Sequence, residues 1–591
     1  MVQDSEYKLN GSCQRFLNDE EALILHGPEQ QVIEGLRGLG EEVYDRMLVH
    51  GDKVCMIDGD TDLSESFTSL RKRGAAIALA LKARGVKSED VITLVELTCR
   101  DAFAVVLGVI FSGGTLGMLD GAWTVPNTAY TLLPLYKSKV VFTHVQCLNK
   151  VRKVLKTYPE ILEGTELIVY GYENEDECEG CTTIDQFVAD YDDNDIEAYR
   201  PTKVDDLVNT PLLILCTSGS TGVPKGVVHN NKSIGDIIVT GGTLFPSALT
   251  LFTNAPCYWT SGIYMFLIAL YSGCKKVYTK KPFSELNVLG LIQKYQVSAA
   301  FLSCYQISLV NQHEKTDSYD LSSLRILLCG GSRLSEEQIA KMQARIPKGI
   351  VSIGYGMTEL CAGTGLNPGV KSKPGSVGKL GAGLSLKVVD IESGKLLGPE
   401  QSGEIYLKGP AMMGYYSNKA ATDEILDSTT NWLRTGDIGY YDAEGYVFIT
   451  DRLKEIAKYK GLYVSTSKRI IKDYFNNYED MLQINPSDIE AVLIEHKAVK
   501  AACVITVPHD DTCDLVVAFV EIKPGHQIQD VELEQFVNDK VEDYQRLRGG
   551  LYFVETLPIL THGKIARPAV KQIAASMKQQ IVDHFKKNYG K

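Results

Sequence analysis

The chain has 591 residues, and 61 Lys plus Arg against 74 Asp plus Glu leave a formal net charge of −13, which gives no general nucleic-acid-binding face. A 44% hydrophobic and 23% charged composition excludes the disordered and fibrous classes. Its 14 cysteines are far below the roughly 8–10% of a disulfide scaffold, so reduced thiols are expected.

Residues 1–16 are polar and lack the apolar centre of a signal peptide, which points to a cytoplasmic protein. Over 67–84, Leu70, Ile77 and Leu81 share one helical face and Gly85 stops the pattern, after which 91–95 reads as a strand. Residues 102–119 are uncharged over a length at the lower limit for a bilayer span. Ser112-Gly113-Gly114 interrupts them, so they predict a buried helix, a turn and a buried strand, with no transmembrane segment. Short apolar runs at 140–142, 167–169, 212–216, 299–302, 326–329 and 350–353, many separated by helix-length segments, predict βαβ units and buried parallel sheet. From about Gly403 the pattern changes to alternating strands, at 404–407 and 446–449, and after Arg452 a shorter α+β pattern begins. A large domain over 1–451 and a small one over 452–591 are therefore expected.

The strand at 212–216 opens into Thr217-Ser218-Gly219-Ser220-Thr221-Gly222-Val223-Pro224-Lys225-Gly226. Three glycines, four hydroxyls and a lysine can wrap N–H and O–H donors and a positive charge around a phosphate chain. Gly219 and Lys225 have P-loop spacing, but Pro224 takes the place of the second glycine and Gly226 that of the Mg²⁺-binding hydroxyl, which disfavours an ordinary P-loop NTPase. Elsewhere signals are weak. Cys178 and Cys181 form a C-x-x-C in an acidic stretch with no second pair at zinc spacing and read as a surface loop. The ten histidines show no H-E-x-x-H, no G-x-S-x-G elbow is present, and Cys216 and Cys329 read as packing residues.

This loop resembles the phosphate-binding signature of the adenylate-forming superfamily, which includes acyl-CoA synthetases, insect luciferases and peptide-synthetase adenylation domains. Further signatures follow in order: Tyr355-Gly356-Met357-Thr358-Glu359, Gly403-Glu404 with the turn from Gly409 to Tyr415, Thr435-Gly436-Asp437, Asp451-Arg452-Leu453-Lys454, Lys458-Tyr459-Lys460-Gly461 and Gly563-Lys564-Ile565. The similarity runs from about Ile24 to Val570. It implies an α/β fold: a large N-terminal domain of parallel-rich α/β sheets plus a distorted barrel, followed by a small mobile α+β C-terminal domain hinged near Lys454.

The resemblance implies ATP, Mg²⁺ and coenzyme A as reactants or cofactors, with a small-molecule carboxylic acid activated as its acyl-adenylate. Lys564 would bind the carboxylate and α-phosphate, Thr358 the α-phosphate, and Glu359 the Mg²⁺. Tyr355 would lie beside adenine opposite Gly330-Gly331-Ser332, while Asp437, assisted by Arg452, would take the ribose hydroxyls. Lys458, Lys460 and Gly461 belong to the face presented for thioester formation, and Gln483 would reach the nucleotide. Trp259, within Pro256-Cys257-Tyr258-Trp259-Thr260-Ser261-Gly262, replaces a histidine of many relatives. An aromatic there gates the pantetheine tunnel in other members, and its presence counts against luciferase chemistry. Ser303, Cys304 and Tyr305 are expected in the acyl pocket.

About 20 residues, 463–482, separate Gly461-Leu462 from Gln483-Ile484-Asn485-Pro486, where a ligase-like motif would be continuous. They are either a surface extension or a segment translated from an unspliced transcript. Beyond them, Ser487 and Glu490 predict a capping box. The expected activity is that of a 4-coumarate:CoA ligase-like or medium- or long-chain acyl-CoA synthetase. The alternatives are an enzyme loading a carrier-protein thiol and a nucleotide-binding pseudoenzyme. Tyr589-Gly590-Lys591 is not a Ser-Lys-Leu-type address, so a cytoplasmic location is expected and a peroxisomal one stays open.

Overall fold

The computed structural model describes residues 23–29, 35–122, 128–162, 164–217, 224–361, 373–453, 458–459, 462–463, 486–509, 514–541, 545–559 and 565–589. The first predicted helix spans Phe67–Ala83, capped by Ser66, whose hydroxyl accepts from the Ser69 N–H, and it buries Leu70, Ile77 and Leu81. The uncharged stretch after it is a helix, Arg100–Ser112, closed by Gly113 in the left-handed conformation, and then the fully buried strand Thr115–Asp120. Among the described residues no helix is long and apolar enough to cross a membrane.

The apolar runs build two parallel-rich sheets. One has eight strands in the order Gly414–Tyr415, Lys225–Asn230, Pro211–Thr217, Thr115–Asp120, Val91–Glu96, Val140–His144, Glu166–Tyr170, Thr182–Thr183. The other has seven, in the order Ile350–Gly354, Ile326–Gly330, Ala299–Ser303, Thr250–Thr253, Lys275–Tyr278, Val54–Asp58, Ser64–Ser66. Helices carry apolar residues to one continuous core: Phe103 meets Phe266 at 4.8 Å and Tyr278 at 5.0 Å between ring centroids. Such strands, covered on both faces, read as unbroken apolar runs. The alternating pattern after Gly403 becomes antiparallel pairing, Ser385–Val389 with Gly403–Lys408, Leu433–Tyr441 and Val447–Arg452 in a six-stranded sheet.

A separate three-stranded sheet pairs Val499–Pro508 antiparallel with Asp514–Ile522, which runs parallel to Leu551–Val554. Its side chains alternate between two cores. Ala502, Val504, Val516 and Ala518 pack with Ile489 and Leu493 of the helix Pro486–Glu495, while Cys503, Ile505, Val517 and Phe519 pack with Val570 and Ala574 of Arg567–Ser576. The helix expected after the cap is present, Pro486–Glu495, while the Ser487 side chain, and with it the capping box, lies outside the described residues. Glu490 accepts from the Val504 N–H at 2.7 Å and from Arg567 at 2.7 Å. One correction concerns Cys178, expected in a surface loop: it ends a short 3₁₀ helix, Glu175–Cys178, and is buried.

Candidate active site

Three neighbouring parallel strands end level with one another, Ser303 beside Gly330 and Gly330 beside Gly354. In open α/β sheets the crevice beyond carboxyl strand ends is where ligands bind. Here these ends open on a cavity of about 2100 Å³. Gly330, Gly331 and Ser332 line one part of it, and Tyr355, Gly356, Met357, Thr358 and Glu359 line another. Thr217 and Lys225 reach it from the eight-stranded sheet, Asp437 and Arg452 from the antiparallel one.

Asp437 follows Gly436, whose φ of +69° within the strand Leu433–Tyr441 disfavours a side chain. Asp437 is buried, at 4% exposure. Tyr355 donates its hydroxyl to Oδ2 at 2.5 Å, and Arg452, the cross-strand partner of Asp437, donates Nε to Oδ1 at 3.1 Å. Burial, and then the carboxylate itself, push the Tyr355 phenol up, so it remains a donor. A carboxylate is acceptor-only, with about four acceptor sites, the chemistry that binding a pair of hydroxyl groups requires.

A second polar chain runs from Lys225 to Glu359 through Tyr415. The lysine ammonium lies 4.7 Å from the Tyr415 ring centroid, and the Tyr415 hydroxyl donates to Glu359 Oε1 at 2.7 Å. Tyr415 sits on the short edge strand that pairs with the strand of Lys225, Val227 opposite Tyr415. Among the described residues no three or more His, Cys, Asp or Glu side chains gather as a metal cage. Glu359 is a hard oxygen donor of the kind that suits Mg²⁺, which keeps waters and takes phosphate oxygens as further ligands.

Trp259 lines the cavity and sits immediately before the helix Thr260–Ser272. The preceding turn is held by a fully buried carboxylate on another strand: Glu96 accepts from the Tyr258 N–H at 3.1 Å, from the Cys257 N–H, and from the Thr98 hydroxyl at 2.9 Å. Burial raises Glu96 to about 7, and Asp120, Cys257 and Lys276 face it. The native carboxyl therefore holds its proton at a pH where the unfolded chain has ionised, so its contribution to stability is complete below the ordinary carboxylate range and is lost as pH rises through about 7. Glu96→Gln is expected to remove a pH-dependent loss of up to about 3 kcal/mol. The check is thermal unfolding from about pH 5 to 8, in which the variant's Tm should fall less than that of the unaltered chain.

Gly262 explains why this turn ends in glycine. A Cβ there would lie 1.9 Å from the Pro256 carbonyl oxygen. Gly262→Ala is accordingly expected to cost about 3 kcal/mol or more, readable as a lower denaturant midpoint together with a changed Trp259 fluorescence.

Ser303, Cys304 and Tyr305 line the same cavity, but the polar atoms of Ser303 and Cys304 have local partners. The Ser303 hydroxyl accepts from the Gln306 N–H at 3.1 Å in a capping box, and the Cys304 thiol donates to the Ser332 carbonyl at 2.9 Å. Tyr305 packs against the core of the Val499–Pro508 sheet. Two features of the wall had no sequence signal: the bond of Tyr415 to Glu359, and Cys361, whose Sγ lies 2.9 Å from Nδ1 of the buried His229. Burial lowers His229 to about 4, so it is neutral near pH 7. Ser218, Gly219, Ser220, Thr221, Gly222, Lys454, Lys460, Gly461, Gln483 and Lys564, with most of 463–482, lie outside the described residues; of Lys458 only the strand backbone is described.

The family model for AMP-binding enzymes matches residues 44–417, and that for the AMP-binding enzyme C-terminal domain matches 488–564. The chain belongs to the AMP-binding enzyme family. This AMP-binding enzyme is 30% identical over 565 residues to a luciferin 4-monooxygenase of Nipponoluciola cruciata, covering 94% of this chain and 98% of that one. It is 28% identical over 533 residues to the "Probable 4-coumarate--CoA ligase 1" of Dictyostelium discoideum, covering 88% and 92%. Its fold matches that of an anthranilate CoA ligase solved with anthranoyl-AMP, with a TM-score of 0.75 and 20% identity, covering 92% and 98% of the two chains. The adenylate-forming fold, with a large sheet-rich region and a small C-terminal one, is thus established.

Proposed function

We propose that this AMP-binding enzyme uses ATP to turn a carboxylic acid into its acyl-adenylate, releasing pyrophosphate, and then passes the acyl group to the thiol of coenzyme A, releasing AMP. A carboxylate cannot expel oxide, so exchanging that oxygen's fate for an AMP leaving group is the purpose of the first step. Two anions must meet, and catalysis then rests on positioning and on positive charge where negative charge accumulates.

The observation that carries this reading is the buried Asp437, oriented by Tyr355 and Arg452 at the edge of the strand-end cavity. In this reading Asp437 accepts the ribose hydroxyls, and adenine lies between Tyr355 and the Gly330-Gly331-Ser332 wall. The 217–225 loop with Lys225 holds the phosphates, Thr358 donates to the α-phosphate, and Lys564 neutralises the approach of the two oxyanions. Mg²⁺, held through Glu359, would supply charge to the phosphate oxygens. We place the domain boundary at 451/452 and the hinge at Lys454, with Lys458, Lys460 and Gly461 on the face used for thioester formation.

Light-producing oxidation is the second reading, favoured by the luciferin 4-monooxygenase relative. Trp259 in place of the histidine weighs against it, as does the aromatic gate it makes for a pantetheine arm. Carrier-protein loading differs only in the thiol. The test is incubation of the full chain with ATP, Mg²⁺, coenzyme A and acids of graded chain length and ring content. An acyl-CoA thioester formed with AMP is the expected product; acyl-adenylate without thioester would favour the carrier-protein reading, and emission with a luciferin would favour the oxidative one.

A further inference from the structure

At the end of the eight-stranded sheet away from Gly414–Tyr415, the chain leaves Glu166–Tyr170, makes a 3₁₀ turn and enters the edge strand Thr182–Thr183. Cys178 and Cys181 bracket a tight turn in that connection. The Cys181 N–H donates to the Cys178 carbonyl at 3.0 Å, and the two residues between, Glu179 and Gly180, have φ of +50° and +75°. A hydrogen-bonded four-residue turn brings its end Cα atoms within 7 Å, inside or close to the 4.4–6.8 Å range that a disulfide spans. The two thiols are not equivalent. Cys178 is buried against Leu148 and Val169, whereas Cys181 is partly exposed. Arg152, on the helix Leu148–Thr157, donates through Nη2 to both Cys181 Sγ and the Glu179 carbonyl at 3.0 Å, and pairs its other nitrogen with the Glu179 carboxylate.

We infer that Cys178 and Cys181 form a reversible thiol–disulfide site, with Cys181 the attacking sulfur and Cys178 the resolving one. The thiolate is the attacking species, and the guanidinium sets a positive donor against the Cys181 sulfur. Burial, Cys181 itself, and the Glu177 and Glu175 carboxylates hold the Cys178 thiol up, which disfavours it as the first attacking thiolate. The oxidant is hydrogen peroxide or a low-molecular-weight disulfide. With oxidised glutathione, the Cys181 thiolate displaces one glutathione thiolate to give a mixed disulfide. Cys178 then loses its proton, attacks the Cys181 sulfur and expels the second glutathione. Two thiols are oxidised, one glutathione disulfide is reduced to two thiols, and a dithiol reverses the change.

The test is peptide mapping of the full chain after exposure to oxidised glutathione, with differential alkylation of the remaining thiols. The expected result is a peptide carrying Cys178 and Cys181 that has lost two hydrogens and regains them with dithiothreitol. In Cys178→Ser the reaction should stop at a glutathione adduct on Cys181. In Arg152→Gln, alkylation of Cys181 should slow by roughly tenfold. A stable glutathione adduct on Cys181 in the unaltered chain would overturn the proposal, as would modification of Cys178 ahead of Cys181. So would full retention of both thiols under conditions that oxidise a control dithiol.

Discussion

Asp437→Asn is expected to lower kcat/KM for ATP in acid-dependent pyrophosphate exchange by on the order of 10²–10³, equivalent to about 3–4 kcal/mol of transition-state stabilisation. The substitution keeps the side-chain shape. It replaces a charged acceptor by an amide with one acceptor oxygen; with that oxygen toward Arg452, the Tyr355 hydroxyl must reverse its hydrogen bond and accept from the amide nitrogen. The negative charge and one acceptor oxygen that the proposed function offers to the ribose are lost, and the orienting contact with Tyr355 is reversed. Tyr355→Phe separates the two effects, since it removes the orienting donor and leaves the carboxylate. Its expected loss is roughly tenfold, and the double variant should lose less than the product of the single losses because the residues share one network. Unchanged exchange in Asp437→Asn would refute the proposed role.

Lys564→Ala is expected to lower adenylation by on the order of 10²–10³ with an unchanged Tm, while thioester formation from preformed acyl-adenylate persists. Lys564 itself is not among the described residues, but both ends of its segment are anchored. Ile559 and Ile565 pair across a β-bridge, and the Ala566 N–H donates to the Pro558 carbonyl at 2.7 Å. Leu557 N–H donates to the buried Glu521 carboxylate at 3.1 Å, and Arg567 is fixed by Glu490 and the Val504 carbonyl, each at 2.7 Å. Ile565, the next residue in the chain, lines the same cavity as Asp437 and Tyr355. In the proposed function the Lys564 charge would act where the carboxylate approaches the α-phosphate. If adenylation and thioester formation fell together, the lysine would serve the fold or both steps rather than the first alone.

The strands were legible because burial on both faces leaves continuous apolar runs, and each expected run from 91–95 to 350–353 lies within an observed strand. The residues that line the cavity were legible where glycine, hydroxyl and charge cluster locally, as at Thr217, Lys225 and 355–359. What holds those segments was not. Glu96 supports the Trp259 turn from 162 residues away, and Cys361 meets His229 across 132. Contacts made by three-dimensional packing leave no spacing to read. Glu490, legible only as a local cap residue, meets Val504 and Arg567 by contacts of the same long-range kind.

The central claim, that the strand-end cavity joins ATP to a carboxylic acid, is tested most directly by incorporation of labelled pyrophosphate into ATP by the purified full chain. Incorporation that requires an added acid and disappears in Asp437→Asn is the predicted result. Absence of incorporation with every acid tried, or incorporation at the same rate with no acid present, would contradict it.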